Sequence, residues 1–166
     1  MFKKYLIILI SFLSFISIFF SSNKVDNKLY FPIHKKRYYI TSYYEYRTLG
    51  YYHFHNGIDI GEPKGTPLYA LSDGVVSFVG YYGGYGNSVI IKYTNGYKSL
   101  YGHVDSNYIV KVGQTVKAKQ LVARVGPKYL KSGKLNGYTT GTHLHFTLYY
   151  QNKLINPLSI EYADYK

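Results

Sequence analysis

Six histidines and no cysteine bound the chemistry open to this 166-residue chain. Without a thiol there is no disulfide framework, thiolate metal site, cysteine nucleophile or lipid-modified N-terminal cysteine. Any bound metal must be held by His, Asp or Glu. The histidines are His34, His53, His55, His103, His143 and His145. His55 and Asp59 stand four apart in His55-Asn56-Gly57-Ile58-Asp59, and His143 and His145 two apart in Thr142-His143-Leu144-His145-Phe146. On a strand, alternate side chains share a face, so both spacings bring their members together. Leu144, Phe146 and Leu148 then take the opposite face as core. Two imidazoles inside an otherwise apolar strand mark their own face as a site.

A His, Asp, His set offers two neutral nitrogens and one carboxylate, a donor mixture that suits zinc when thiolate is absent. A catalytic zinc site uses three protein ligands and keeps a position for water. The ion lowers that water's pKa from ~15.7 to about 7, which makes it a nucleophile at neutral pH. His53 shares the strand face of His55, but four residues after it comes Gly57, which has no ligand atom. It is read as a groove-rim residue. Asp73 reads as a turn residue with Gly74, and Asp105 as a turn or local cap after His103. Tyr81, Tyr82 and Tyr85 flank Gly83, Gly84 and Gly86, in a loop that either lines a groove or packs.

The elements that must position these residues read as β-strands. Beyond Ser22 no helical periodicity lasts more than about two turns. Short β-branched and aromatic runs between Gly and Pro recur instead, as in residues 74–79, 88–93 and 120–125. Asn95-Gly96 predicts a hairpin pairing 88–93 with 97–101 through a type I′ turn, which puts His103 just past the second strand, at a rim. Gly65-Thr66-Pro67-Leu68-Tyr69-Ala70 echoes Gly113-Gln114-Thr115-Val116-Lys117-Ala118, and each copy leads into a strand ending in Gly. Two copies of one β-unit predict a compact antiparallel β-sandwich or barrel.

Residues 1–22 open with Met-Phe-Lys-Lys and continue as a mostly apolar run, an N-terminal targeting helix that serves as a signal peptide or membrane anchor. Residues 23–37 read as a basic linker, 38–160 as the functional domain and 161–166 as a tail. The chain carries 20 Lys+Arg against 8 Asp+Glu, a net charge of +12, with 23 Tyr and 9 Phe. A hydrophobic content of 46% is enough for a core and excludes general disorder. A cationic, Tyr-rich surface suits an anionic or carbohydrate-like partner. With no recognisable nucleic-acid motif, no nucleic acid is expected as partner.

The chain resembles the lysostaphin/LytM-type zinc metallopeptidases over roughly residues 38–160. The resemblance runs through Ile40-Thr41-Ser42 with Tyr46-Arg47, Phe54-His55-Asn56-Gly57-Ile58-Asp59-Ile60 and residues 63–70. It continues through Asp73-Gly74-Val75-Val76, residues 83–87, Leu100-Tyr101-Gly102-His103, Val112-Gly113-Gln114 and Gly126. It closes with Thr140-Gly141-Thr142-His143-Leu144-His145-Phe146 and Asn156-Pro157. It implies a small antiparallel β-sandwich with a substrate groove, a barrel-sandwich hybrid called a duplicated hybrid motif, in agreement with the internal echo. It implies one Zn²⁺ held by His55, Asp59 and His145, with His103 and His143 in acid–base and transition-state roles.

The implied activity is endopeptidase cleavage of cross-links or stem peptides of bacterial peptidoglycan by an exported monomer of the periplasm or cell envelope, with possible anchoring through residues 1–22. A non-catalytic wall-binding or hydrolase-activating module is the alternative, although members of that kind have usually lost ligands or catalytic histidines. The chain departs from the family pattern at Tyr43-Tyr44-Glu45, where members often read Gly-aromatic-Gly. It also departs in the lengthened stretch 127–140, at Thr142 in place of Pro, and at Thr147 in place of Glu.

Overall fold

A computed structural model describes residues 28–34, 37–47 and 53–165. The apolar stretch 1–22 lies outside the described residues. The architecture is all-β and antiparallel, with no α-helix among the described residues. The strands are β1 (Tyr39–Ser42), β2 (Tyr46–Arg47), β3 (His53–Phe54), β4 (Ile58–Gly61), β5 (Pro67–Tyr69), β6 (Gly74–Tyr81), β7 (Asn87–Tyr93), β8 (Tyr97–Gly102), β9 (Thr115–Val116), β10 (Leu121–Arg124), β11 (His143–Tyr150) and β12 (Lys153–Ile155). One sheet runs β1-β4-β11-β8-β7-β6-β9, with β12 also paired to β11, and β10-β5 and β2-β3 form two-stranded ribbons.

β11 is the organising strand. Leu144, Phe146 and Leu148 are fully buried, as the alternation predicts, and each such side chain contributes roughly 1.5–3 kcal/mol of burial. His145 and Thr147 on the other face are buried as well, so β11 is covered on both sides. Its flanks are β4 and β8, which set His145 opposite Asp59 on one side and Gly102 on the other.

The internal echo has a structural counterpart. Each copy pairs its first strand with the second strand of the other copy: β5 with β10, and β9 with β6. The flanking bonds repeat too. Gly65 N–H donates to Val125 O and Val125 N–H to Thr66 O, while Gly113 N–H donates to Val76 O and Val76 N–H to Gln114 O. Gly65 and Gly113 both adopt positive φ, +90° and +84°, where glycine is at no disadvantage.

The hairpin β7–β8 forms with Val89 opposite Tyr101 and Lys92 opposite Lys98. Its turn is not the predicted type I′. Of Asn95 and Gly96 only Gly96 has positive φ (+84°), so the connection is a longer loop closing on a left-handed glycine. Thr94 N–H bonds to Asp73 O, which draws the loop toward the β5–β6 connection.

Two readings of the sequence differ from the structure. Within the segment read as a linker, Leu29, Phe31 and Ile33 join the hydrophobic core, and Tyr30 pairs with Ala163 of the tail. They belong to the short run Leu29-Tyr30-Phe31-Pro32-Ile33, which the basic cluster after it, His34-Lys35-Lys36-Arg37, outweighs in local composition. The tyrosines, read as surface, also build the interior. Tyr93 and Tyr101 are buried, and their hydroxyls bond to one another at 3.0 Å and to Ser99 and the Tyr69 carbonyl. Burial pushes the Tyr93 hydroxyl up to about 12, so this network stays protonated.

Candidate metal centre and active site

Asp59 reaches the site from the middle of β4 and His145 from β11 directly opposite. His55 arrives differently from expectation. It lies outside both β3 and β4, in the link between them, so no continuous strand face joins it to Asp59. The chain kinks at Gly57, where an added Cβ would lie 2.5 Å from the Phe146 carbonyl oxygen and 3.0 Å from His145 Nε2. Only glycine permits that approach, and it brings His55 onto the β11 face.

His55 Nε2, Asp59 Oδ1 and His145 Nδ1 converge. His145 Nδ1 lies 2.8 Å from Asp59 Oδ1, His55 Nε2 3.2 Å from the same oxygen, and the two nitrogens 3.1 Å apart. Donor atoms on a tetrahedral zinc are about 3.3 Å apart, so this group fits such an ion. It is the His/Asp cluster among the described residues able to hold a metal. The opposite ends of the rings are fixed: His55 Nδ1–H donates to the Tyr43 carbonyl at 2.7 Å, and His145 Nε2 meets Thr147 Oγ1 at 2.9 Å. These contacts select which nitrogen faces the cluster. Asp59 Oδ2 is taken by the Arg47 guanidinium at 2.8 Å.

His103 and His143 stand beside the cluster with their rings 4.7 Å apart, edge to face. His103 follows β8 as expected but is buried, not on a rim. Its backbone is left-handed (φ +56°), and its N–H and carbonyl bond to Tyr85 O and Gly126 N–H. A non-glycine residue in that region costs roughly 1–3 kcal/mol and persists where the surroundings enforce it. His103 Nδ1–H donates to the Asn136 carbonyl at 2.6 Å, and His143 Nδ1–H to the Gly141 carbonyl at 3.1 Å. Both therefore keep Nε2 unprotonated in the neutral ring, and His143 Nε2 lies 3.7 Å from Asp59 Oδ1.

The electrostatics agree with neutral imidazoles. Burial, reinforced by the neighbouring His143, pushes His103 down to about 4, and burial also lowers His143 and His145. Burial opposes ionisation of Asp59, but its close contacts with His145 and His55 overcome it and hold the carboxyl far below its ordinary range. An ionised carboxylate beside the neutral imidazole of His145 is the protonation state a cation requires.

Two clefts flank the cluster. One, of about 550 Å³, runs past Ser42, Tyr46, Arg47, Thr140 and His143. The other, of about 340 Å³, runs past Phe54, Asn56, Tyr85, His103 and Tyr138. His53 is exposed and borders both, as a rim residue should. Asp73 and Asp105 stay outside: Asp73 binds Lys117 and the Ala118 N–H, and Asp105 accepts from the Asn107 N–H. Of the Gly/Tyr loop, Tyr85 reaches the cleft, 5.1 Å from the His145 ring, and stacks on Tyr82, while Asn56 donates to its hydroxyl.

Asn136 and Thr147 were not identified as site residues from the sequence. Asn136 is fully buried in the lengthened stretch 127–140; its Oδ1 accepts from Asn87 N–H and its Nδ2 donates to Val104 O. No local signal marks it. Thr147 had one, since it continues the His143, His145 alternation.

Residues 53–157 match the sequence model of Peptidase family M23. Among curated proteins, the DD-carboxypeptidase/endopeptidase Mpg of Neisseria meningitidis serogroup B is 36% identical over 106 residues, which cover 64% of this chain and 22% of that protein. The murein hydrolase activator NlpD of Escherichia coli is 41% identical over 103 residues, covering 61% of this chain and 24% of that protein. The chain thus matches less than a quarter of either relative's length. Among solved structures, a zinc-containing peptidase from Vibrio cholerae superposes with a TM-score of 0.68 at 30% identity, over 82% of this chain and 41% of that one. The catalytic domain of lysostaphin from Staphylococcus simulans gives 0.62 at 29% identity, over 74% and 90%.

Proposed function

The chain belongs to Peptidase family M23, and from that premise we propose that it is an exported zinc endopeptidase of the bacterial cell envelope, cleaving stem peptides or cross-links of peptidoglycan. The observation that carries this reading is the convergence of His55 Nε2, Asp59 Oδ1 and His145 Nδ1 beside two further imidazoles with free Nε2 atoms. His55, Asp59 and His145 are the proposed ligands of one Zn²⁺. When bound, zinc supplies Lewis acidity: it polarises a scissile carbonyl and brings a water's pKa near neutrality.

The chain's own residues supply the rest. His103 is neutral at neutral pH, so its Nε2 accepts a proton and does not begin as a donor. His143 Nε2 faces the same space across Asp59 and serves as the second proton-handling or charge-stabilising group. Tyr85 and Asn56 form a wall of the smaller cleft, and the two clefts give an extended peptide room on both sides of the centre. The names of the relatives support a peptidoglycan substrate, and the basic charge of the chain suits an anionic envelope.

The likeness to NlpD favours one second reading, a non-catalytic activator of wall hydrolases. Against it stands the presence of all five His and Asp side chains in one cluster. The test is the metal content of the purified protein together with its clearing of a purified-wall suspension, with and without chelator. Stoichiometric zinc with chelator-sensitive clearing supports the peptidase. Absence of zinc and of clearing supports the activator. Mass analysis of digested muropeptides then names the bond.

A further inference from the structure

Arg47 closes β2, opposite His53 on β3. One nitrogen of its guanidinium, Nη2, lies 2.8 Å from Asp59 Oδ2 and 2.7 Å from Ser42 Oγ. Ser42 is itself the β1 residue paired with Asp59, so the guanidinium bridges two adjacent strands at the metal cluster. Ser42 Oγ is also 3.4 Å from His55 Nδ1, the nitrogen turned away from the cluster. The Arg47 side chain is 29% exposed and that of Asp59 13%, so the pair is partly shielded from water.

The two oxygens of Asp59 are thereby divided. Oδ1 faces His145 Nδ1 and His55 Nε2 at 2.8 and 3.2 Å, and Oδ2 faces Arg47. A carboxylate can bind a cation through one oxygen or chelate it through both, and chelation consumes a coordination position that water or substrate would use. Turning Oδ2 toward the cluster would break a charge-assisted hydrogen bond, about twice as strong as a neutral one.

Resting on the metal-centre reading above, we infer that Arg47 is a positioning residue that confines Asp59 to one-oxygen ligation. It leaves the remaining coordination positions open. A residue with this task must touch the far oxygen of the ligand and be anchored elsewhere, and Ser42 provides that anchor. Arg47 also borders both clefts, so a direct role on substrate is the rival the experiment must separate.

The experiment is cobalt substitution of the full chain, read by visible absorption, which reports coordination number in the absence of any turnover. The wild-type protein should give the intense bands of a four-coordinate ion. Arg47→Met should give the weaker bands of a higher coordination number, with kcat lowered about 10–100-fold and KM nearly unchanged. Arg47→Lys, which keeps a cationic donor, should restore much of the intensity. An Arg47→Met spectrum identical to wild type overturns the inference. If KM rises alongside that unchanged spectrum, Arg47 acts on substrate instead. Should Arg47→Met fail to fold, Ser42→Ala decides. It removes the anchor and the long 3.4 Å contact to His55 Nδ1, which keeps its 2.7 Å bond to the Tyr43 carbonyl. It should shift the bands in the same direction by less, and unchanged bands overturn the inference. Wild-type protein that takes up no cobalt removes the metal reading and this inference together.

Discussion

His145 stands directly across the β11–β4 pair from Asp59, and the ladder itself carries His145 Nδ1 to 2.8 Å from Asp59 Oδ1. Two of the three converging donors are therefore held by backbone pairing, and the third, His55, comes from a link that bends at Gly57. This division predicts how the site responds to substitution.

Loss of a donor should cost metal and activity together. His55→Ala, Asp59→Ala and His145→Ala should each lower bound zinc well below one equivalent and abolish wall hydrolysis. Metal analysis after dialysis reads this directly. Full zinc occupancy in both His55→Ala and Asp59→Ala would sink the assignment.

His103 and His143 stand beside the cluster without completing it. His103→Ala and His143→Ala should keep zinc and lose about 10²–10⁴-fold in turnover. If the two act as a unit, the double variant costs far less than the product of the singles. Single-variant rates close to wild type on purified wall would reject these roles.

The Asn136 backbone carbonyl accepts from His103 Nδ1–H. Asn136→Ala deletes the bonds to Asn87 N–H and Val104 O inside a fully buried site and strands both partners, at a cost of roughly 1–3 kcal/mol. The Asn136 carbonyl that orients His103 loosens with it, so turnover should fall while zinc is retained. Denaturant unfolding and metal content, measured on the same preparation, check both halves. An unchanged unfolding midpoint would contradict the first.

Acid should destabilise the metal-free protein earlier than carboxylate protonation alone explains. His103 titrates near 4 in the folded protein and near 6.5 when unfolded. Between these values the unfolded chain binds the extra proton, so stability is flat above about pH 6.5 and falls as pH drops toward 4. Asp59, whose pKa is lowered, acts in the same direction at lower pH: its stabilisation is present above the unfolded value of 3.8 and is lost as pH falls further. The melting temperature of chelated protein across this range should therefore decline on the acid side. His103→Gln should make the part between 6.5 and 4 shallower, the rest coming from His143 and His145, which burial also lowers. An unchanged profile in that variant would contradict the assignment.

Charge should govern wall retention more than chemistry. Lys128, Lys131 and Lys134 lie in the lengthened stretch before β11, with Lys131 and Lys134 exposed. The Debye length shortens from ~10 Å at 0.1 M salt to ~3 Å at 1 M. Co-sedimentation with insoluble wall should weaken as NaCl rises, while cleavage of a small soluble peptide hardly changes. Sedimentation that is flat with salt, or unaffected by replacing all three lysines, would mean the basic charge serves solubility alone.

The sequence by itself determined the all-β character, the core face of β11 and the pairs His55/Asp59 and His143/His145, because these follow from local periodicity and short spacings; His103 joined them only through the resemblance to the family. Leu144, Phe146 and Leu148 sit where alternation puts them. Tertiary structure alone decided how those side chains are used. His55 and His145 are 90 residues apart, Asp59 and His145 86, and His103 and Asn136 33. Which ring nitrogen faces the cluster depends on the Tyr43, Asn136 and Gly141 carbonyls and on Thr147, partners whose identity carries little signal because any residue supplies a carbonyl. Arg47 was visible as part of the family pattern, yet its grip on Asp59 Oδ2 appears only when β1, β2 and β4 come together. The burial of Leu29, Phe31 and Ile33 was equally hidden. The run 29–33 is too short to outweigh the basic residues beside it, and only the packed core supplies the apolar surface it covers.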